Sequence, residues 1–534
     1  MTETSTSRTQ VSPRYPLLEG AVVALILVLA GYLRLVNVGA NPGWYSDEGT
    51  LVNIATNLVH GRVQDFALTG STLLAARLPF YPLLASLWFR VLDPGVPALR
   101  LMSGTLGLIT CGLVYVVVRS CVGRSGAIPA VAAAFILAVY PSAVVYSRMG
   151  FSYNLIAPLV LIEIWGLWRY LTHGDGWSLA IAAVAVGLGC VTDVMMLVFL
   201  VLLAFLVSLR RMRDVPWSMG LALVPLAIYV AAMLTPDPSV FLFDLRFTAS
   251  RLGAVPLWAQ PGILSLNLAS LLRNDVWFAL GIVGSFMIRP SKWRWLIILA
   301  VLFPIIAIGR STGLTGLRTY YLIPLFPLAA IGVSGLLVYG IPVVRRTLDE
   351  GFNRVLDRWG WDQASASSNW LRRRTITVGS ALGIFVIALA PLLVEAAQSV
   401  AQTQSGFHSP SDALTIDPED ARTVAAFVNQ RVDSGDLTIA SPALGWLLHG
   451  NVAELEQMVA AAGGQTADYP SEVPADRFAY DMRLQKARYA VVDPVWDNWA
   501  AVYMPDVRSL KDEVETWPLA LKLGAFRVYE NPDR

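Results

Sequence analysis

The sequence predicts an α-helical polytopic membrane protein that ends in a water-soluble α/β domain. Three observations carry that prediction. The chain of 534 residues is 55% hydrophobic and 15% charged, with a mean hydropathy of +0.56, more apolar and less charged than soluble globular proteins. Apolar stretches long enough to span or enter a bilayer recur up to Ala396, and from about Gln398 the composition turns to that of a soluble domain. Charge divides at the same place, with 20 acidic against 11 basic residues after position 397 and a net +11 before it. The part able to fold in water is the acidic one, which excludes nucleic acid as the partner.

Taken in order, residues 1–16 read as a Ser/Thr-rich cytoplasmic leader with Arg8 and Arg14. Leu17 to Val38 is long enough to cross a bilayer and lacks a small-residue cleavage site, so it is expected to be a retained helix. Arginines on its N-terminal side place the loop from 39 to 100 outside. Within that loop Thr50 to Val59 is amphipathic at helical spacing. Leu78 to Leu92 is apolar but short, with Pro79 and Pro82 near its start and Arg90 near its end, and is expected to lie along the interface. If it crossed, the basic clusters at Arg210 and Arg372 would fall outside.

Basic residues set the remaining topology. Leu101–Val118 runs inward to Arg119 and Arg124, Ile128–Tyr146 outward, and Leu155–Tyr170 inward to Arg169. Trp177–Cys190 and Val194–Leu209 follow, the latter ending at Arg210, Arg211 and Arg213. Trp217–Leu234 leads to an external loop from Thr235 to Asp275. Val276–Ile288, Trp295–Gly309 and Tyr320–Ile341 come next. A loop carrying Arg345, Arg346, Arg372, Arg373 and Arg374 precedes a last span, Ile376–Ala396. The expectation is about eleven spans over residues 17–397, an N-terminus in the cytoplasm of a plasma-membrane protein, and an extracytoplasmic domain over 398–534.

That domain mixes helical stretches (Pro418–Arg431, Leu444–Leu448, Ala453–Ala462) with β-rich runs at Leu437–Ala440, Ala487–Val492 and Phe526–Tyr529, the alternation of a small α/β unit. It has no Gly-rich phosphate loop, and Gly463-Gly464 reads as a turn. Cys111, Cys121 and Cys190 lie in or beside apolar spans without a CxxC, so no disulfide framework is suggested, and the four histidines show no paired metal-ligand spacing.

Asp47 and Glu48 stand immediately after the first span, where carboxylates are costly if desolvated and ordinary if wet. Charges at a helix N-terminus also serve the dipole, so the pair alone is not specific. Arg77, Arg148, Arg310 and Arg318 sit near the outer surface, where positive charge needs a reason. Anionic lipid phosphate is one, and headgroup contact or snorkelling is the alternative for any single arginine. Arg34, Arg62, Arg90, Arg100, Arg246, Arg251 and Arg273 are weaker candidates, read as mostly solvated or interfacial.

Several short motifs fall in a recognisable order: Asp47-Glu48-Gly49 opening an outside helix, then Arg77-Leu-Pro-Phe-Tyr-Pro82, then Tyr146-Ser-Arg148, and late in the chain Arg318-Thr-Tyr-Tyr-Leu-Ile-Pro-Leu-Phe-Pro327. This pattern resembles the GT-C superfamily of membrane glycosyltransferases, and within it family 39, the protein O-mannosyltransferases and aminoarabinose-transferase-like enzymes. The likeness covers about residues 17–397. It implies transfer of a sugar from a polyprenyl-phosphate carrier to an acceptor hydroxyl of a glycan, lipid or protein on the outer face, with inversion. Asp47 would be the general base. Glu48 would orient it, bind acceptor or help hold a metal. Arg77 would bind the donor phosphate with Arg318, Arg148 and Arg310 as further candidates, and Asn154, Tyr81, Tyr320 and Tyr321 would contact donor or acceptor. The only cofactor left open is a divalent cation, with Asp47 and Glu48 as its ligands.

In one place the pattern departs from the family. Relatives often carry an Asp soon after the Ser-Arg element, whereas here the run ends at Asn154, which hydrogen-bonds but carries no charge. Asp193 either substitutes for it or is a buried aspartate at a helix break. The run Arg310–Arg318 is a phosphate wrap or a plain glycine loop. Two other classes remain: a lipid-linked glycan polymerase or ligase, which would not require the early acidic pair, and a transporter or flippase, which should show internal repeats.

Overall fold

A computed structural model of the chain describes residues 14–74, 77–252, 260–309, 319–340 and 414–534, with scattered helical positions between 342 and 401. The leader through residue 13, Arg310, Arg318 and the run between them, the basic loop and most of the expected last span lie outside the described residues. Six described helical segments are long and apolar enough to cross a bilayer: Leu17–Leu35, Val96–Val122, Tyr153–His173, Met212–Leu234, Ser291–Ile308 and Thr319–Gly340. Ala127–Val139 and Pro141–Ser147 form a seventh if counted as one span bent by 60°. Shorter apolar helices occupy Gly176–Cys190, Met196–Arg210 and Val276–Ser285. This is a multi-pass membrane protein, and each of the first ten expected spans coincides with one of these helices or pairs.

For the site, the helices that matter are α1 (Arg14–Leu35), α2 (Ser46–Val59), α3 (Phe80–Trp88), α4 (Val96–Val122), α5 (Ala127–Val139), α6 (Pro141–Ser147) and α7 (Tyr153–His173). Pro141 at the first position of α6 cannot continue the α5 hydrogen-bond ladder, which sets the bend there. With 9 residues, α3 is about 14 Å long, under half of a hydrocarbon core of about 30 Å, so it does not cross on its own. Residues expected as loop between Thr235 and Asp275 contain two helices, α8 (Pro238–Leu252) and α9 (Gln260–Asn274). Their apolar and polar residues alternate at helical spacing between Pro and Asp punctuation, and the punctuation masked that period in the sequence.

The C-terminal region holds a five-stranded sheet in the order β6-β5-β7-β9-β8, with β5 (Leu437–Ala440), β6 (Asn451–Glu454), β7 (Ala487–Val492), β8 (Leu519–Leu523) and β9 (Phe526–Glu530). β5 pairs parallel to β6 and β7, and β9 pairs antiparallel to β7 and β8. The three β-rich runs read from the sequence are its three central strands. The two edge strands were missed: β6 was absorbed into a helical reading, and β8 (Leu-Ala-Leu-Lys-Leu) is exposed at its first residue.

This domain is built onto the segment between α1 and α4. β1 (Trp44–Tyr45) pairs antiparallel with β4 (Thr415–Ile416), so the residues just before Asp47 are one strand of a ladder whose other strand lies some 370 positions later. Trp44 packs edge-on to Trp446 at 5.1 Å, and Arg422 lies 4.8 Å over the Trp44 ring. A Cβ on Gly49 would overlap the Pro442 carbonyl, so α2 reaches the short helix Pro442–Gly445 only because this position has no side chain. The hairpin β2 (Gln64–Asp65) and β3 (Leu68–Thr69) is likewise gripped from the C-terminal domain.

Candidate active site

The first turn of α2 carries Asp47 and Glu48, and successive helical positions point about 100° apart. They diverge accordingly. The Glu48 carboxylate is fully buried. Its Oε1 accepts from Arg100 Nε at 2.7 Å and from the Gly150 backbone N–H at 2.6 Å. Its Oε2 accepts from a second Arg100 nitrogen at 2.5 Å and from the Tyr45 N–H at 2.8 Å, the capping-box bond that closes the helix start. A carboxylate with four such bonds has its acceptor positions filled.

Arg100 is as buried as its partner and also donates to Val38, Pro42 and Gly43 carbonyls at 3.3, 2.5 and 2.7 Å. It was expected to be solvated or interfacial. Instead it ties α4, the 38–43 turn and α2 into one knot, which sequence position alone does not reveal because Glu48 lies 52 residues away.

Asp47 is different. Its Oδ1 meets one Arg77 nitrogen at 2.7 Å, and its side chain is 34% exposed against 23% for Arg77. The loop bearing Arg77 is pinned by its own backbone: Arg77 N–H donates to the Thr72 carbonyl at 3.1 Å, and Thr72 Oγ1 donates to the Arg77 carbonyl at 2.7 Å. Buried Arg77 Nε has no partner among the described residues. Burial raises the Asp47 pKa above the ordinary carboxylate value, with Arg77 pulling it down and Asp468 pushing it up.

Arg77 is the centre of a wider group. Asp47, Asp468, Tyr153 and Asp65 all act on its charge. Asp193 also lies within electrostatic reach of Arg77 and of Tyr153. Met195 N–H donates to Asp193 Oδ1 at 2.9 Å, so Asp193 both holds the turn before the helix Met196–Arg210 and stands in the site's electrostatic field. Of these, the sequence singled out Asp47, Arg77 and Asp193. Asp65, Tyr153 and Asp468 were missed, since they come from a hairpin, a span start and the C-terminal domain.

An aromatic wall flanks the group. Tyr153 lies 5.6 Å edge-on to Tyr321 and stacks at 6.1 Å with Tyr320, which stacks on Phe151 at 5.3 Å. Tyr321 lies within electrostatic reach of Asp47 and Arg77, so the expected pair Tyr320 and Tyr321 do converge here.

Among the described residues, Arg148, Asn154 and Tyr81 do not. Arg148 is buried and donates to the Asn41, Leu33 and Asn37 carbonyls at 3.1, 2.8 and 3.3 Å, closing the C-terminal end of α1, where a cation is favoured. Arg34 does the same for α5, donating to the Leu137 and Ala138 carbonyls at 2.8 Å. Asn154 donates to the Tyr146 and Met149 carbonyls, fastening the turn after α6. The Tyr81 hydroxyl is buried and shares a 2.6 Å hydrogen bond with Ser103. Each of these side chains lies where the sequence reading put it along the chain, but its polar atoms are turned onto backbone or core.

Among the described residues, no group of three or more His, Cys, Asp or Glu side chains is placed to hold a metal ion. Glu48 in particular has no acceptor position left for one. The three cysteines are free and buried.

Residues 76–234 match the family model described as dolichyl-phosphate-mannose-protein mannosyltransferase. No curated protein matches the sequence. Among solved structures, the chain is similar to ArnT from Cupriavidus metallidurans bound to undecaprenyl phosphate, with 14% identity, TM-score 0.62, and coverage of 97% of this chain and 98% of that one. It is also similar to the oligosaccharyltransferase of Archaeoglobus fulgidus in its apo form, with 12% identity, TM-score 0.52, and coverage of 93% and 73%. The same archaeal protein, AglB, in complex with an inhibitory peptide and a dolichol-phosphate, matches with 13% identity and TM-score 0.50 over 98% and 75%. At these identities the likeness is one of fold, and it extends over nearly the whole chain: the protein has the GT-C membrane fold that its sequence motifs resemble.

Proposed function

We propose that this chain is a glycosyltransferase that moves a sugar from a polyprenyl-phosphate carrier to an acceptor hydroxyl on the outer face of the plasma membrane, with inversion. The carrying observation is the Asp47–Arg77 pair, a partly exposed carboxylate and a pinned guanidinium 2.7 Å apart on a GT-C fold. The undecaprenyl phosphate in the ArnT neighbour and the dolichol-phosphate in AglB support the carrier class.

Asp47 takes the proton of the acceptor hydroxyl as its oxygen attacks the anomeric carbon from the face opposite the carrier. The bond from that carbon to the phosphate oxygen breaks, and its electron pair leaves with the phosphate. The developing charge is met by Arg77, whose Nε is a spare donor and whose contact with Asp47 loosens as Asp47 becomes neutral. Asp47 is the accessible one of the two adjacent acids, and burial holds its pKa above the ordinary carboxylate value, which favours proton uptake. Glu48 is a positioning residue that fixes the helix start through Arg100. Tyr320, Tyr321 and Tyr153 offer rings for a sugar face and hydroxyls for its polar edge. Arg318 and Arg310 remain proposed phosphate contacts from the sequence alone.

In this reading residues 17–397 form the catalytic membrane domain, and 398–534 form an extracytoplasmic domain that walls the site. Purified protein supplied with a labelled polyprenyl-phosphate sugar should release or transfer the sugar. Asp47→Asn should lose turnover and keep carrier binding, while Arg77→Ala should weaken carrier binding. Undiminished transfer by Asp47→Asn, or unchanged affinity in Arg77→Ala, rejects the corresponding assignment.

A further inference from the structure

Asp65 closes strand β2 of the hairpin that faces the outer domain, and every side of that hairpin is fixed. Gln457 Nε2 donates to the Asp65 carbonyl at 2.8 Å and to the Tyr469 hydroxyl at 3.0 Å, while its Oε1 accepts from the Ala67 N–H at 3.0 Å. Arg477 Nε donates to the Thr69 carbonyl at 2.9 Å, and its two terminal nitrogens pair with Asp244 at 2.8 and 3.1 Å. Asp244 is fully buried, so this is a desolvated fork that holds α8, the hairpin and the outer domain together.

The Asp65 side chain is 2% exposed. The Tyr469 hydroxyl lies within electrostatic reach of its carboxyl, and its Oδ1 has no partner among the described residues. The charged and titratable groups facing it are Arg77 from the loop before α3, Asp468 and Tyr469 from the outer domain, Glu454 at the end of β6, and Tyr480. Asp47 and Tyr153 lie beyond them, on Arg77. One guanidinium thus serves four aspartates, Asp47, Asp65, Asp193 and Asp468, and the most enclosed of them lacks a donor on one oxygen. An ionised carboxylate is costly in such a place and a protonated one is not.

We propose that Asp65 is a proton-linked positioning residue of the donor site, which shares Arg77 with Asp47 and Asp468 when ionised and takes up a proton when an anionic phosphodiester docks on Arg77. The proposal rests on the reading of Arg77 as the carrier-phosphate contact. Burial, reinforced by Asp468 and opposed by Arg77, raises the Asp65 pKa to about 7, so the carboxyl changes state within the neutral range. The sign follows from linkage. Below that value Asp65 is already neutral and the phosphodiester binds at full strength. Above it, binding must recruit a proton, and affinity falls toward tenfold per pH unit.

The probe is a polyprenyl methyl phosphodiester, singly charged throughout, titrated onto the full-length protein in lipid nanodiscs between about pH 5.5 and 8.5. Wild type should show an affinity that declines above about pH 7. The slope of log Kd against pH should drop by close to one proton in Asp65→Asn, which should bind more tightly than wild type at the alkaline end. Asp468→Asn keeps Asp65 intact and should move the onset of the decline to lower pH, a readout that a merely structural role would not move. An unchanged slope in Asp65→Asn, or an unshifted onset in Asp468→Asn, overturns the proposal. Absence of binding at every pH in wild type overturns the donor-site reading itself.

Discussion

Two faces of one helical turn carry the two arginine–carboxylate pairs nearest the site, Glu48 with Arg100 and Asp47 with Arg77, and they differ in every respect that chemistry cares about. On one face both partners are inaccessible, and the carboxylate accepts four hydrogen bonds from the guanidinium and two backbone N–H groups. On the other the carboxylate makes one salt contact, is a third exposed, and the guanidinium keeps a donor without a partner among the described residues. A carboxylate saturated by fixed donors can only hold its surroundings in place. One with an open flank can exchange a proton and let go of its partner. Adjacent acids in a sequence thus separate into a fastening and a reactive group once the helix turns them about 100° apart.

The largest expected effect tests the reactive face. Asp47→Asn should lower turnover by about 10²–10⁴-fold, the range a positioned base supplies. Its thermal unfolding midpoint should stay near that of wild type, because the lost contact is partly solvated and worth at most about 1 kcal/mol. A marked loss of stability in Asp47→Asn would erase the distinction between the faces. Next comes the fastening face. Arg100→Ala strands a buried Glu48 and should cost about 3–5 kcal/mol, read as a lower unfolding midpoint in detergent. If Arg100→Ala unfolded like wild type while losing turnover, Glu48 would belong to the chemistry after all.

The helices and the α/β character of the tail were legible because they are written in composition and period, which act locally. Arg77 stood out because it breaks the local charge rule, and Asp47 because it forms an acidic pair directly after the first span. The fates of Glu48, Arg148 and Arg34 were not, since each is decided by what lies opposite: Arg100 at 52 residues' distance, the end of α1 for Arg148, and the end of α5 for Arg34. A buried arginine capping another helix looks, in sequence, the same as one waiting for a phosphate. Asp65 and Asp468 were invisible for the complementary reason. Both sit in polar stretches where an aspartate is ordinary, and only the docking of the C-terminal domain on the β2–β3 hairpin brings them to Arg77. The one hint was Gly49, whose place in the motif is explained by the Pro442 carbonyl against it.

That glycine supplies the third prediction, of intermediate size. Gly49→Ala adds a methyl where the backbone of the outer domain already stands, and overpacking of this kind costs about 1–3 kcal/mol. Because α2 holds both acids, the shift should reach both faces. Turnover and the unfolding midpoint should fall together, unlike the split expected of Asp47→Asn. A protease-sensitivity assay on the outer domain checks the cause: faster release of the 414–534 fragment marks undocking, and an unchanged rate would place the strain inside the helix.

The smallest effect concerns the residue just before the turn. Arg422 lies 4.8 Å over the Trp44 ring, on the far side of the strand pair that leads into Ser46. A guanidinium on an indole face at a partly exposed site contributes about 0.5–1 kcal/mol. Arg422→Met keeps the length and apolar stem and removes the charge, so it should lower the unfolding midpoint only slightly. It should leave turnover unchanged, because the β1–β4 hydrogen bonds and the Trp44–Trp446 contact still fix the entry to α2. Equal turnover with a small loss of stability would mean that the strand ladder alone sets the direction of Asp47. A loss of turnover larger than the loss of stability would mean that the cation on Trp44 also aims the helix, and that the reactive face depends on the outer domain as closely as the fastening face depends on Arg100.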